Sequence, residues 1–387
     1  MKNFLSILIM VTLMPFSNNA QTAFHNFGNV KLHENANIGF HTDFINDGSL
    51  DNDNLGLAGF YSDSELRAIS GDNRAVFHNL EIDALNDVEL HTSIGVTNEM
   101  SFVNGRIYTP RNLIDVSLDY INHQLYVGED NLRYVDGYAS VLNQGEFIFP
   151  IGDDNRLRPM ILPSENTNNS YKGAYYFYNP NTPPTHFAEQ FTTTEKQVFL
   201  NNISNHEFWD LDGAKPTKIT LTWDDKSQIN TISESIQFLR VVGWSKIEGR
   251  WIDLGRSSVE GTNTTGKLTS NEFVPDDYTI ITFGSEFPDG ELADMNLIFT
   301  PNGDNVNQTL VFEGLEQYKN NNLEIFNRWG NIVYETDNYK NNWEGKSNGR
   351  VTVDGDNNLP VGTYFYVLKL GNDSLSKTQK GWVYIQR

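Results

Sequence analysis

The chain has 387 residues, with 28 Lys and Arg against 50 Asp and Glu, a formal charge of −22. It contains no cysteine, which excludes disulfide frameworks, thiolate zinc sites, iron–sulfur clusters, a cysteine nucleophile and a lipoprotein anchor. So much negative charge repels nucleic acid and anionic lipid, while 38% hydrophobic residues and 30 glycines suit packed, turn-rich β structure in two or three domains.

Residues 1–20 read as a signal peptide. Lys2 supplies the positive start, residues 4–14 are apolar, Pro15 ends the run, and small polar residues lead to Ala20. The layout places the cut between Ala20 and Gln21. Residues 4–14 are too few to cross about 30 Å of hydrocarbon. No later stretch reaches the ~18 apolar residues of a spanning helix.

Residues 21–163 show apolar pairs separated by one polar residue: Leu80 and Ile82, Val88 and Leu90, Ile94 and Val96, Met100 and Phe102. A period of two predicts short strands, and the intervening Gly, Asn and Asp predict turns. A weak repeat accompanies them. Phe24-His25-Asn26 returns as Phe77-His78-Asn79, and Val30 to His33 returns in kind as Val88 to His91. Repeated short strands and tight turns predict a right-handed parallel β-helix, favoured over a β-sandwich because the spacing leaves little room for hairpins.

Residues 164–285 predict a second all-β unit, an antiparallel sandwich of immunoglobulin-like size. Strands are expected at 171–178, 218–223, 236–242 and 278–283, with the Trp244 and Trp251 region between the last two. Residues 286–294 are acidic and turn-prone, and read as a linker.

Residues 295–387 hold the most specific pattern, in five segments. They are 299–310 (Phe-Thr-Pro-Asn-Gly-Asp-Asn-Val-Asn-Gln-Thr-Leu), 323–334 (Leu-Glu-Ile-Phe-Asn-Arg-Trp-Gly-Asn-Ile-Val-Tyr), 339–345 (Tyr-Lys-Asn-Asn-Trp-Glu-Gly), 359–368 (Leu-Pro-Val-Gly-Thr-Tyr-Phe-Tyr-Val-Leu) and 380–385 (Lys-Gly-Trp-Val-Tyr-Ile). The second predicts a hairpin turning at Gly330, and the last a strand that ties down the C-terminus. Trp329, Trp343 and Trp382 are expected to fill a small core. Roughly seven strands would make an Ig-like β-sandwich.

From about Leu297 to Arg387 the chain resembles the gliding-motility-associated C-terminal domain, the type B sorting domain of type IX secretion. The resemblance rests on Pro301, Asn302, Gly303, Asp304 and Asn307, then Arg328, Trp329 and Gly330, then Trp343 and Gly345, and finally Pro360, Gly362 and Tyr364. It implies export across the outer membrane of a gram-negative bacterium, with the domain as address tag and an outer-membrane partner reading it. Asn305 and Gln308 stand where the family has Gly and Asp, which removes a carboxylate and weakens the case for calcium in that loop.

No zincin helix, nucleophile elbow, P-loop or dinucleotide glycine pattern occurs. His25 with His78 and His33 with His91 are expected at equivalent repeat positions, as turn residues and not metal ligands. The acidic stretches 47–53, 153–154 and 210–213 could offer oxygens to Ca²⁺, with surface turns the preferred reading. Tyr171, Tyr175, Tyr176 and Tyr178 are candidates for stacking on sugars, with core packing preferred. No cluster of Asp with Arg or Lys stands out on one coil face. The expectation is a non-enzymatic, adhesin-like protein, secreted or on the cell surface, without a cofactor unless Ca²⁺ binds, and with surface polysaccharide or another cell-surface protein as the body's partner. The alternative is a carbohydrate-active lyase or hydrolase with its site on the β-helix face.

Overall fold

The computed structural model describes residues 23–122, 125–142, 145–163, 169–197, 200–287, 297–304, 306–312, 315, 318, 320–348, 358–372 and 375–387. The signal peptide with its cut at Ala20 and Gln21, His123, residues 288–294 of the linker, and Asn305 lie outside them.

From Ala23 the chain alternates between two parallel sheets. Ala23–Asn26, Asp43–Asn46, Arg67–Ser70, Val88–Leu90, Ile107–Tyr108, Val135–Asp136 and Ile151–Asp153 build the first. Asn37–Phe40, Leu57–Ser62, Ala75–Ala84, Ile94–Asn104, Leu118–Ile121 and Ala139–Leu142 build the second. Each strand pairs in parallel with the strand one coil earlier, the β-solenoid that the short alternating strands predict.

Period-two alternation explains the core. Phe40, Phe60, Ile82 and Phe102 stand in register on the second sheet, and Phe44, Ile69 and Leu90 on the first; all are buried. The Phe44 and Phe60 rings meet edge-on at 6.2 Å across the gap between sheets. Coil turns are tied by buried amides. Asn26 Nδ2 donates to Asn46 Oδ1 at 2.7 Å, and Asn46 Nδ2 to the Asn73 carbonyl one coil on.

The coil length differs from the repeat in the sequence. The register gives steps of 20, 22 and 20 residues along Phe40, Phe60, Ile82 and Phe102. Phe24-His25-Asn26 and Phe77-His78-Asn79 lie in opposite sheets, and Val30 to His33 forms no strand. The paired histidines are therefore not equivalent. A coil needs an apolar residue facing inward, not the same residue, so sequence identity is a poor guide to register.

Parallel stacking ends where Ser170–Tyr176 pairs antiparallel with Ala139–Leu142. The second sheet then continues through Phe208–Asp212, Tyr278–Glu286, Leu239–Ser245 and Trp251–Asp253. A five-stranded sheet, in the order Phe147–Phe149, Met160–Leu162, Thr220–Trp223, Gly266–Thr269, Ser258–Gly261, packs on it. One hydrophobic core runs from Leu32 to Phe283, across the division the sequence reading makes at 163. Residues 236–238, expected as strand, form a 3₁₀ turn, because Ser235 caps it through the Gln237 amide. Among the described residues the longest helix is Ile229–Ile232, and none is long and apolar enough to cross a membrane.

The C-terminal residues form their own sheet, in the order Leu297–Phe299, Leu375–Ile385, Gly362–Asn372, Asn320–Phe326, Ile332–Asp337. Two isolated bridges, Leu310 with Trp343 and Lys346 with Asn358, add to these five strands. The hairpin turns at Gly330, where φ is 79°. This sheet encloses a separate core, to which sixteen of the described residues contribute, among them Phe299, Phe312, Trp343 and Tyr366.

Candidate functional site

A groove of about 330 Å³ crosses the outer face of the second sheet. Its floor follows from the register: Gly95 faces Asp119, Asp119 faces Ser140, and Ser140 faces Lys172. Asp119 is buried at the centre. Arg74 Nη1 donates to its Oδ2 at 2.8 Å, while the Ser117 and Ser140 hydroxyls donate to Oδ1 at 2.6 and 2.7 Å. Lys172 Nζ donates to the Ile114 carbonyl at one rim, and the Ser93 hydroxyl to the Asp115 carbonyl at the other.

Arg74, Asp119 and Lys172 thus converge on one coil face, contrary to the sequence-based expectation. Arg74 and Asp119 are 45 residues apart, so only coil stacking joins them. Chemically the groove offers hydroxyl oxygens with lone pairs to spare, a half-exposed guanidinium and an ammonium group, with Asp115 as a second acidic residue in its lining. That set suits a polyol or sugar.

Two buried charge networks lock the solenoid to the sheets beyond it. In the first, Arg111 donates to Asp136 and to the Tyr175 and Gly152 carbonyls, 4.6 Å above the Tyr176 ring. The Tyr138 hydroxyl donates to Asp210 at 2.6 Å and lies 3.1 Å from that of Tyr176, which contacts His186. Burial, with Asp212 adding like charge, raises the Asp210 carboxyl to about 7. Burial and then Arg111 lower His186. In the second network Arg158 binds Glu207 and Asp224, Arg156 binds Asp224, and the Tyr175 hydroxyl donates to Glu207 at 2.6 Å. Pairing of this kind keeps interior charges tolerable.

The other acidic stretches are tied to their own neighbours. Asp47 accepts from the Asp72 amide and His25, which hold its carboxyl below the usual range, Asp53 pairs with Lys31, and Asp153 accepts from the Phe177 amide. Among the described residues no group of three or more His, Asp or Glu is placed to hold a metal ion. Tyr171, Tyr175 and Tyr176 are buried and serve packing, while Tyr178 is exposed.

In the C-terminal unit, Pro301, Asn302, Gly303 and Asp304 form a turn closed by Gln308. Gln308 Nε2 lies 2.8–3.1 Å from the Asp304 and Asn302 side-chain oxygens and the Val306 carbonyl, and its Oε1 accepts from the Gly303 amide. An amide thus collects the oxygens of this loop. Asn307 takes a positive φ of 49° and its carbonyl accepts from Thr300. Trp343 is buried, donating Nε1 to the Lys346 carbonyl at 2.7 Å. Gly345, Pro360 and Tyr364 gather near the C-terminus. Arg387 donates to the Gly345 and Leu359 carbonyls, and the Tyr364 hydroxyl donates to the Pro360 carbonyl. Gly345 has φ of 71°, and a Cβ there would press on Ile385 and Phe299.

Residues 293–385 match the CHU_C type IX secretion signal domain. No curated protein and no solved structure matches the chain. The CHU_C domain supports export by type IX secretion, hence secretion or a place on the cell surface, and interaction with the export machinery.

Within the CHU_C domain the tryptophans divide differently from expectation. Only Trp343 is core; Trp329 is 76% exposed and Trp382 40%. Trp329 sits in the hairpin turn, its amide held by Asn327. Trp382 has the outward parity of a strand whose Val383 and Ile385 face inward. Tyr339, Tyr364 and Tyr366 fill the interior in their place.

Proposed function

We propose that the chain is a non-enzymatic, adhesin-like protein whose body binds polysaccharide in the solenoid groove after type IX export. The observation that carries this reading is the state of Asp119. Both its oxygens are engaged, Oδ2 by an arginine and Oδ1 by two serines. Glycoside hydrolysis calls for two working carboxylates across the bond to be cut. A locked carboxylate amid hydroxyls and cations supports holding a sugar over cleaving one. Within the same reading, residues 1–20 are a signal peptide cut between Ala20 and Gln21, which delivers the chain to the periplasm of a gram-negative cell. An outer-membrane partner then reads the CHU_C domain.

Affinity electrophoresis of the full chain in gels of neutral and acidic polysaccharides tests this. Retardation by at least one polymer is expected, weakened by Arg74→Ala and Lys172→Ala, with no new reducing ends or unsaturated products. Product formation would establish the carbohydrate-active enzyme instead. Retardation indifferent to both substitutions would remove the groove from the reading.

A further inference from the structure

Phe326, Phe365 and Trp382 stand side by side on three adjacent strands of the CHU_C domain, with Ile332 next to Phe326. Their neighbours in sequence, Ile325, Tyr364, Tyr366 and Val383, are buried, so this row takes the opposite, outward face. Phe365 is 51% exposed. Trp329 projects at the hairpin turn that joins the strands of Phe326 and Ile332, with the Arg328 guanidinium 5.2 Å from the centre of its ring. The domain gains little stability from rings left in water, and exposed apolar patches on soluble proteins mark sites of contact.

We propose that this row, with Trp329 and Arg328 at its end, is the surface by which a protein of the type IX export machinery grips the CHU_C domain. The partner offers an apolar recess bordered by a carboxylate. The proposal rests on export by type IX secretion, which requires that the domain be read on some surface. Trp, aromatic rings and Arg are the residues that carry most binding energy at protein interfaces. Arg328 has no carboxylate partner among the described residues, although the chain carries a charge of −22. That unspent cation calls for an acid on the other side. A second copy of this chain fits poorly, because a two-fold contact would set the same cationic patch against itself.

The test uses the full chain in a type IX-secreting host, measuring the fraction reaching the surface or medium. The triple variant Trp329→Ala, Phe365→Ala, Trp382→Ala is expected to lower export at least about tenfold, as the loss of hot-spot residues does. Its melting temperature should stay near the parent's. Arg328→Glu, which removes no packing, is expected to lower export as well. Ile247→Asp, at an 88% exposed position of the body, should leave export unchanged. Parental export by Arg328→Glu overturns the proposal, and it decides the matter if the triple variant melts early. Parental export by a stable triple variant also overturns it, including where that variant loses self-association or polysaccharide binding. Deletion of residues 293–387 separates the two readings. If the deletion blocks export and the variants do not, the surface is wrong and type IX export stands; if the deleted form is exported, export by this domain fails.

Discussion

Asp210 and Asp212 sit two residues apart on Phe208–Asp212, so the strand's alternation turns both carboxylates to the same face. Lys172, Lys246 and Asp276 are the other charged groups around the pair, and the Tyr138 hydroxyl bonds to Asp210. An unfolded Asp titrates near ~3.9, well below the value of about 7 in the fold. Between those values the folded chain holds a proton that the unfolded chain has lost, so stability falls as pH rises through the window. Asp210→Asn keeps an acceptor for Tyr138 and removes the titration. Urea melts should show the variant gaining on the parent from about pH 4.5 to about pH 7.5, by on the order of a few kcal/mol. A difference equal at both ends of that range would contradict the assignment. At this same scale the sequence reveals that residues 323–334 make a hairpin, but not that Trp329 faces water. A turn residue's exposure depends on what passes over it, and nothing local specifies that.

The solenoid coil is the element whose character was most legible. Alternating apolar residues and Asn-rich turns specify short strands through contacts between near neighbours. Which residues occupy equivalent positions from coil to coil escaped, because Phe, Ile and Leu substitute freely for one another at an inward position. Phe60 shows what one coil contributes. It is fully buried, with ring centroids of Phe40, Phe77 and Phe44 at 4.9, 6.0 and 6.2 Å. Phe60→Ala opens a void that three stacked coils share, and denaturant titration should show a loss of about 3–5 kcal/mol. A cost under about 1 kcal/mol would mean that the coils collapse onto the gap. Coils touch only their neighbours, so the damage should centre on residues 40–80 in hydrogen exchange.

For the molecule as a whole, the described strands of the CHU_C domain pair only with one another, and its core is a cluster distinct from that of the body. Deleting residues 293–387 is therefore expected to leave the body's melting transition in place while the protein accumulates in the periplasm. A body that no longer melts cooperatively would show that the two units stabilise each other. The sequence alone determined the all-β class and the sorting pattern at the C-terminus, because alternation, turn residues and motif spacing act along the chain. Tertiary structure decided the Asp119 groove and the outward row of Phe326, Phe365 and Trp382. Both depend on strand register, which arises from burial shared between residues tens of positions apart and leaves no local mark.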